Sequence, residues 1–514
     1  MTVTAFRLEN FMAFEDTGWL ELRSITLLFG RNSSGKSVLI RALRLLKQSF
    51  ENNVILKIND EYGVELGEES DLYHGNYDKE YFSKDERDKN QSKLPTLRFG
   101  FRVRLDGYAK TQLMSLIQAH RKITDQVARE NNIEQDEIQL TFGIRWQNDV
   151  GFHLANFELS CSDGTIFAAE QFWDEELIKT IGVWSFETSI LHSHNKKEGD
   201  KLWANLDIRS TPGAPMLPSL SLAGNVRKYI DEAQDEFSKF QIILENTKAS
   251  IRDFVSGIIY VRPLRPLPEL IYSFDLHTQE KWDKLGWKGY YQFLRSPINT
   301  EEADLIDYYI QKCELGEKAV VHRTDSFFNT GDSTIDIESI GIQRRLVNVG
   351  FGVSQLLPVI VESVLAYPNS LVIIEQPELH LHPKAQAEVA NMFVETALRN
   401  NNRFLIETHS ENILYRLRLF IAETNLRTLE KEKPPKDSYE YKYITKLDVS
   451  EKLVAIYFFN RPDNSITSQV VEIKIKKTGE YDALPKEFKT IFADDTRALM
   501  QITQAVLEAE TLEK

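Results

Sequence analysis

The sequence predicts an α/β fold: a mixed sheet with buried parallel strands and flanking helices, a large inserted α+β region, and a small C-terminal α+β module. Three observations carry this prediction. A glycine-bracketed turn at residues 30–37 joins an apolar run to a helically spaced one. Two more apolar runs, 371–374 and 404–406, each end in a glutamate. Such runs describe strands buried on both faces, which deliver polar groups to the carboxyl edge of a parallel sheet. The first turn and the later runs stand about three hundred residues apart. That is too long for one connection, so a further region must fold between them.

The turn reads Gly30-Arg31-Asn32-Ser33-Ser34-Gly35-Lys36-Ser37 and fits G-x-x-x-x-G-K-[ST]. Ile25, Leu27, Leu28 and Phe29 precede it as a strand, and Val38, Leu39, Ala42, Leu43, Leu45 and Leu46 follow at helical spacing. A glycine-rich turn alone can match by chance; strand before and helix after make it a phosphate loop. Backbone amides must close on the phosphates, and side chains would hold them off. The helix N-terminus adds partial positive charge, Lys36 reaches the outer phosphates, and Ser37 offers a hydroxyl to magnesium.

Glu375, at the end of Leu371-Val372-Ile373-Ile374, is placed to complete a magnesium shell. An ordinary core strand capped by a solvated glutamate is the competing reading. Phe404-Leu405-Ile406-Glu407-Thr408-His409-Ser410 ends in a histidine that could face a terminal phosphate. A lone histidine there is more often structural, so order and spacing carry its weight. Finally, Asn348-Val349-Gly350-Phe351-Gly352-Val353-Ser354-Gln355 is a turn opening an apolar helix, whose amides suit a second anion contact.

In this order the pieces resemble the ATP-binding-cassette ATPase heads of the SMC, RecF and OLD type. They are most similar to bacterial AAA-like anti-phage defence ATPases, PtuA-like, that carry Glu-Gln-Pro-Glu-x-His-Leu-His-Pro, here from Glu375 to Pro383. Phe6-Arg7-Leu8-Glu9-Asn10-Phe11 with Phe14 looks like the opening strand of such heads. Ile258 to Arg265 looks like their Tyr-x-x-Pro-Leu-Arg segment. The stretch from Tyr481 to Phe488 and on to Asp494-Asp495 resembles an uncharacterised C-terminal module of such ATPases.

The resemblance implies ATP and magnesium as ligands, with the whole loop from Gly30 to Ser37 on the nucleotide and Ser37 with Glu375 on the metal. Gly352, Ser354 and Gln355 become a signature turn reaching the nucleotide of a second subunit. The implied partners are a second copy, in a homodimer with two composite ATP sites or a higher oligomer, and a separate effector, with a nuclease as one candidate. His409 matches a switch histidine, and His380 and His382 fall near the dimer seam. As an isolated His-x-His that pair could suggest a metal centre, but no convincing third ligand accompanies it. One departure stands out. The family pattern usually ends the strand in Asp-Glu, and here Glu375-Gln376 occupies those places. Glutamine can orient water but cannot accept its proton, so Gln376 and Glu378 are the candidates to share that work and slow hydrolysis is expected.

The expected organisation is 1–50 with the phosphate loop, 51–257 inserted, 258–426 completing the head, and 427–514 as the C-terminal module. Within the insertion, 67–93 reads as loop, 97–105, 140–146 and 152–159 as strands, and 110–131 as a polar helix. Residues 196–219 read as an exposed connector, and Val226 to Leu244 as an amphipathic helix without sustained heptads. Residues 427–436 read as a linker, 453–459 and 470–476 as strands, and a closing helix follows Asp494. The acidic signature of an OLD-type nuclease module is not found, and Asp494-Asp495 reads as a helix cap.

With 62 basic and 77 acidic residues the net charge is −15, which opposes general coating of nucleic acid. A local patch of Arg98, Arg102 and Arg104 on one face of a strand keeps nucleic-acid contact open, against the blander reading of a solvated sheet face. No signal-like segment and no apolar run of about 18 residues is found, so no membrane partner is expected. Cys161 and Cys313 alone cannot form a scaffold, and a cytoplasmic setting is expected. The implied function is an ATP-binding and ATP-hydrolysing regulatory subunit of a bacterial anti-phage defence complex that controls a separate effector. The alternatives are a RecF-like DNA-repair ATPase and a non-hydrolysing scaffold clamped by nucleotide.

Overall fold

The computed structural model describes residues 2–488 apart from 61–62, 76–95, 124–135, 148–150, 162–163, 173–182, 189–201, 205, 212–213, 223–233, 266, 275–280, 283–284, 286, 325–330, 430–447, 464 and 486–487. The chain opens with β1 (Thr2–Phe11), β2 (Phe14–Asp16), β3 (Leu20–Glu21), β4 (Ile25–Gly30) and α1 (Lys36–Glu51). Next come β5 (Leu97–Arg104), α2 (Gly107–Ile123), β6 (Glu137–Gln147), β7 (Gly151–Cys161) and β8 (Gly164–Phe172). Then follow β9 (Val183–Thr188), β10 (Leu202–Ala204), β11 (Leu206–Thr211), β12 (Ala214–Leu222) and α3 (Gln234–Ser256). The middle holds β13 (Ile258–Val261), β14 (Tyr272–Phe274), α4 (Lys288–Arg295), α5 (Thr300–Lys312), β15 (Lys318–Arg323), β16 (Gly331–Ser339) and β17 (Ile342–Arg345). The remainder is α6 (Phe351–Leu365), β18 (Leu371–Glu375), α7 (Pro383–Asn400), β19 (Arg403–Glu407), α8 (Glu411–Leu429), β20 (Val454–Asn460) and β21 (Gln469–Glu472).

The strands that position the site form a sheet in the order β13-β18-β19-β4-β20-β21. From β13 to β20 all neighbours are parallel, and β21 returns antiparallel on β20. Successive side chains of a strand point to opposite faces, so a strand covered on both sides must be apolar throughout. Leu27, Phe29, Val372, Ile374, Phe404, Ile406 and Phe458 enter one core, packed with Leu356 and Ile360 of α6, Phe393 of α7 and Leu417 of α8. Leu28, Ile373, Leu405, Tyr457 and Phe459 enter the other, with Leu39 and Leu43 of α1 and Ile243 of α3.

That second core is closed by an antiparallel sheet in the order β10-β9-β8-β7-β6-β5-β1-β2, with β3 also on β1. The expected insertion thus continues a sheet that the N-terminal strand begins. β5 pairs Phe101 with Phe6 and Phe99 with Leu8, and the Phe6 and Phe101 rings lie 5.1 Å apart. A long apolar β1 left as an edge would expose unpaired backbone, and β5 removes that exposure. At the other end of the chain, β20 lies along β4 from Val454↔Ile25 to Phe459↔Gly30. Residues beyond 427 therefore supply strands to the central sheet, and Phe488 packs on Phe458 at 5.4 Å.

Several boundaries differ from the sequence reading. The connector expected at 196–219 contains β10 and the hairpin β11–β12, paired Leu206↔Leu222 and Ile208↔Leu220. The alternation of apolar residues outweighs the proline and glycine content there, and Leu217 is fully buried. The amphipathic helix is described from Gln234 to Ser256 and so continues past the expected Leu244, while 223–233 lies outside the described residues. The polar helix is described to Ile123, and α8 continues to Leu429 into the expected linker. Most of the acidic loop, the rest of the linker, Asp494-Asp495 and the closing helix lie outside the described residues. Among those described, Cys161 and Cys313 are buried, and no helix is long and apolar enough to cross a membrane.

Candidate nucleotide site

The loop between β4 and α1 is held by contacts that only glycine permits. Gly30 has φ +147°, and a Cβ there would lie 2.2 Å from the carbonyl oxygen of Phe459 on β20. Gly35, at φ +100° just before α1, would place a Cβ 2.7 Å from Cζ of Phe14. The loop's glycines thus answer to neighbouring strands as well as to a ligand. Lys36 is buried, and its Nζ donates to the carbonyls of Gly30 and Arg31, both at 2.9 Å. Burial pushes the Lys36 pKa down, and Glu407, 3.8 Å away, opposes the shift. Ser37 Oγ donates to Glu407 Oε2 at 2.9 Å.

Glu375 and Glu407 face each other in register across β18 and β19. Glu375 Oε1 accepts from the Tyr260 hydroxyl at 2.5 Å, and the Arg44 guanidinium lies 3.8 Å over the Tyr260 ring. Burial first, and then Glu375, raises the Tyr260 pKa and keeps the phenol protonated. Arg265 donates to the backbone carbonyls of Glu375 at 3.0 Å and Gln376 at 3.1 Å, and burial lowers its pKa to about 10. The Tyr-x-x-Pro-Leu-Arg segment is thus a harness for the acidic edge. Glu407 has no role legible in the sequence motif. Its side chain is buried beside the loop, and burial chiefly, then Glu375, pushes its pKa up against Lys36 and Ser37.

Gln376 takes φ +48° and its N–H donates to the Glu407 carbonyl at 2.7 Å. Glu378 Oε1 accepts from the His409 N–H at 2.7 Å, while its buried Oε2 has no hydrogen-bond partner. Burial, then Lys36, pushes the His409 pKa down, which favours the neutral imidazole. A cavity of about 760 Å³ at the carboxyl ends of the strands is lined by residues 32–37 with Gln376, Glu407 and His409. Met12, Tyr73, Arg461 and Ile466 also line it, and its size suits a nucleotide. A pocket beside it joins Gln376, Glu378 and His409. A larger cavity, about 1320 Å³, opens beside Ser24, Ser370 and Arg403 at the opposite strand ends. Ligands of open α/β sheets sit at the carboxyl ends, so the smaller cavity is the candidate site.

Gly352, Ser354 and Gln355 are not brought into that cavity. Ser354 and Gln355 are buried, and Ser354 Oγ donates to the Phe351 carbonyl at 2.9 Å. A Cβ on Gly352 would lie 2.7 Å from the His380 carbonyl oxygen, and the Phe351 and His380 rings meet at 4.7 Å. His382 caps α7, its Nδ1 accepting from the Lys384 N–H. Both histidines therefore have packing roles. Among the described residues no group of three or more His, Cys, Asp or Glu side chains could hold a metal by itself. Ser37, Glu407 and Glu375 are hard oxygen donors of the kind magnesium takes when phosphates complete its shell, so the residues fit that ion.

On β5, Arg98 pairs with Glu9 at 3.2 Å and Arg104 with Glu137 at 3.0 Å. Arg102 lies 5.0 Å over the Trp19 ring. Arg98 and Arg104 are thus ion-paired, and Arg102 is buried.

Loop, acidic edge and sheet order together define a phosphate-loop α/β head. A model of the family described as AAA ATPase domain matches residues 1–414, most of the chain, and the protein belongs to that family. Among solved structures it is similar to the SMC head bound to the C-winged helix domain of ScpA, at 9% identity over 93% of this chain and 99% of that chain, TM-score 0.38. It is also similar to the SMC head domain from Thermotoga maritima, at 9% identity, 92% and 100% coverage and TM-score 0.35. A third is the Smc head domain with an extended coiled coil bound to the C-terminal domain of ScpA derived from Pyrococcus furiosus, at 10% identity, 92% and 96% coverage and TM-score 0.36. No curated protein matches.

Proposed function

We propose that this protein binds and slowly hydrolyses ATP, that two copies close on two nucleotides, and that the closed pair regulates a separate effector in a bacterial anti-phage defence complex. The observation that carries the nucleotide reading is the single cavity shared by Lys36, Ser37, Glu407, Gln376 and His409. The loop amides and the start of α1 bind phosphate, and Lys36 exchanges its loop carbonyls for phosphate oxygens. Ser37 with the two acids would hold magnesium, which neutralises phosphate charge when bound. Gln376 orients water, Glu378 presents an unpartnered oxygen as the proton acceptor, and neutral His409 donates a hydrogen bond toward the terminal phosphate. The signature residues, lying outside their own loop's cavity, suit a site completed by a second copy. The ion-paired β5 face and the acidic charge weigh against a DNA-repair role. The effector, with a nuclease as one candidate, rests on resemblance to the defence ATPases.

Equilibrium ATP titration tests the reading. Lys36→Ala should weaken binding on the order of 10- to 100-fold, the scale of a lost charged hydrogen-bond donor. Equal affinity in both proteins would overturn the loop assignment. Gln376 favours one second reading, the nucleotide-clamped scaffold. Wild-type turnover no faster than that of Lys36→Ala would select it.

A further inference from the structure

We propose that Glu407 is the carboxylate through which this site senses the divalent cation, making nucleotide binding conditional on magnesium. The inference rests on the nucleotide-binding reading above and deepens it. Family pattern points to the strand-end acid Glu375, but the geometry favours its neighbour. β19 lies between β18 and β4, so Glu407 stands one strand nearer the loop than its register partner Glu375. Glu407 Oε2 already accepts the Ser37 hydroxyl at 2.9 Å, and Lys36 Nζ lies 3.8 Å from its other oxygen. Glu375 is engaged on its far side, where Tyr260 donates to it at 2.5 Å and Arg44 backs the phenol.

Independent of the acids, Ser34 marks the cavity as shaped for a polar ligand. It lines the cavity, is 1% exposed, and its hydroxyl has no hydrogen-bond partner. Glu407 itself is 5% exposed, so water screens it little. Metal-free ATP would bring its phosphates against this carboxylate, and like charges interact strongly where screening is poor. With magnesium present, Ser37 and Glu407 both offer oxygen to the cation, and repulsion becomes bridging. The alternative role, a plain counter-charge for Lys36 that the cation never reaches, predicts that Glu407→Gln changes ATP affinity in the same direction with and without magnesium, whereas a ligand role predicts a gain without the cation and a loss with it.

The test is the ratio of ATP affinity in excess magnesium chloride to that in EDTA, by equilibrium titration of the full chain. Glu407→Gln keeps the shape and an acceptor for Ser37 while removing the charge. It should bind metal-free ATP about tenfold more tightly than wild type and reduce the ratio by on the order of 10- to 100-fold. Glu375→Gln should lower the ratio less than Glu407→Gln does, because Tyr260 already engages one oxygen of that carboxylate. A wild-type ratio in Glu407→Gln, or its loss in Glu375→Gln alone, would overturn the proposal. Should Glu407→Gln fail to fold, Glu407→Asp retains the charge but withdraws its reach, and an unchanged ratio there would overturn it as well. Failure of the nucleotide reading looks different, since wild type would then bind ATP in neither condition.

Discussion

In the proposed hydrolysis Gln376 and Glu378 would divide the work that a single glutamate performs in the usual family pattern, and their hydrogen bonds suit that division. The Gln376 backbone is tied to the Glu407 carbonyl, which aims its side chain at the cavity that holds Lys36. Glu378 is oriented by the His409 N–H through one oxygen, leaving the other buried and unpartnered. Glu378→Gln keeps an acceptor for His409 and removes only the basic oxygen. Steady-state turnover should fall on the order of 100-fold while ATP affinity moves far less. Robust hydrolysis by this variant would remove Glu378 as the base. Lys36 and Ser37 were legible because their roles are written in adjacent positions. Glu407 was not, because its partner Ser37 lies 370 positions away and only sheet order joins them.

Two chain ends meet at the element that carries the loop. β4 is paired by β19 on one side and by β20 on the other, and the carbonyl of Phe459 presses on Gly30. Gly30→Ala should therefore loosen β20 as well as the loop, destabilising the protein by roughly 1–3 kcal/mol or more and weakening ATP binding. Gly341, at φ +69° with nothing within 4 Å of a Cβ, is the control. Gly341→Ala should cost only the backbone strain, about 1 kcal/mol, with ATP affinity unchanged. Denaturant titration of both variants decides, and equal destabilisation would refute the close-approach argument. The same scale explains the misread connector. Proline and glycine signal a turn but say nothing about the strands around it, and the alternation of Leu206 and Ile208 was the better signal.

For the whole molecule, the position of the turn that resembles a signature motif sets the expectation. Ser354 lies at the start of α6, packed beside His380 through Gly352 and Phe351, and not in the cavity of its own loop. ATP should therefore convert monomer into dimer, and Ser354→Arg should block this while leaving ATP binding by the monomer within a fewfold of wild type. Sedimentation with and without ATP reads the first, and titration the second. Mixing Lys36→Ala with Ser354→Arg should leave at most one working composite site per mixed dimer. Full-rate hydrolysis by an isolated monomer would sink the two-head arrangement.

Sequence alone determined the parts whose geometry is local. A strand, a tight turn and a helix start are contiguous, so the spacing of Gly30, Gly35, Lys36 and Ser37 already specifies the loop. Buried strands announced themselves at 25–29, 371–374 and 404–406 by runs that are apolar but for Thr26, and the order of the motifs led to an ATPase head. Tertiary structure decided what depends on register and neighbours. It set β19 between the acidic strand and the loop, tied Glu375 to Tyr260, paired the β5 arginines with Glu9 and Glu137, and joined β20 to β4. These are pairings between residues tens to hundreds of positions apart. Side-chain type says what can pair, and only the packed sheet says which of the candidates is within reach.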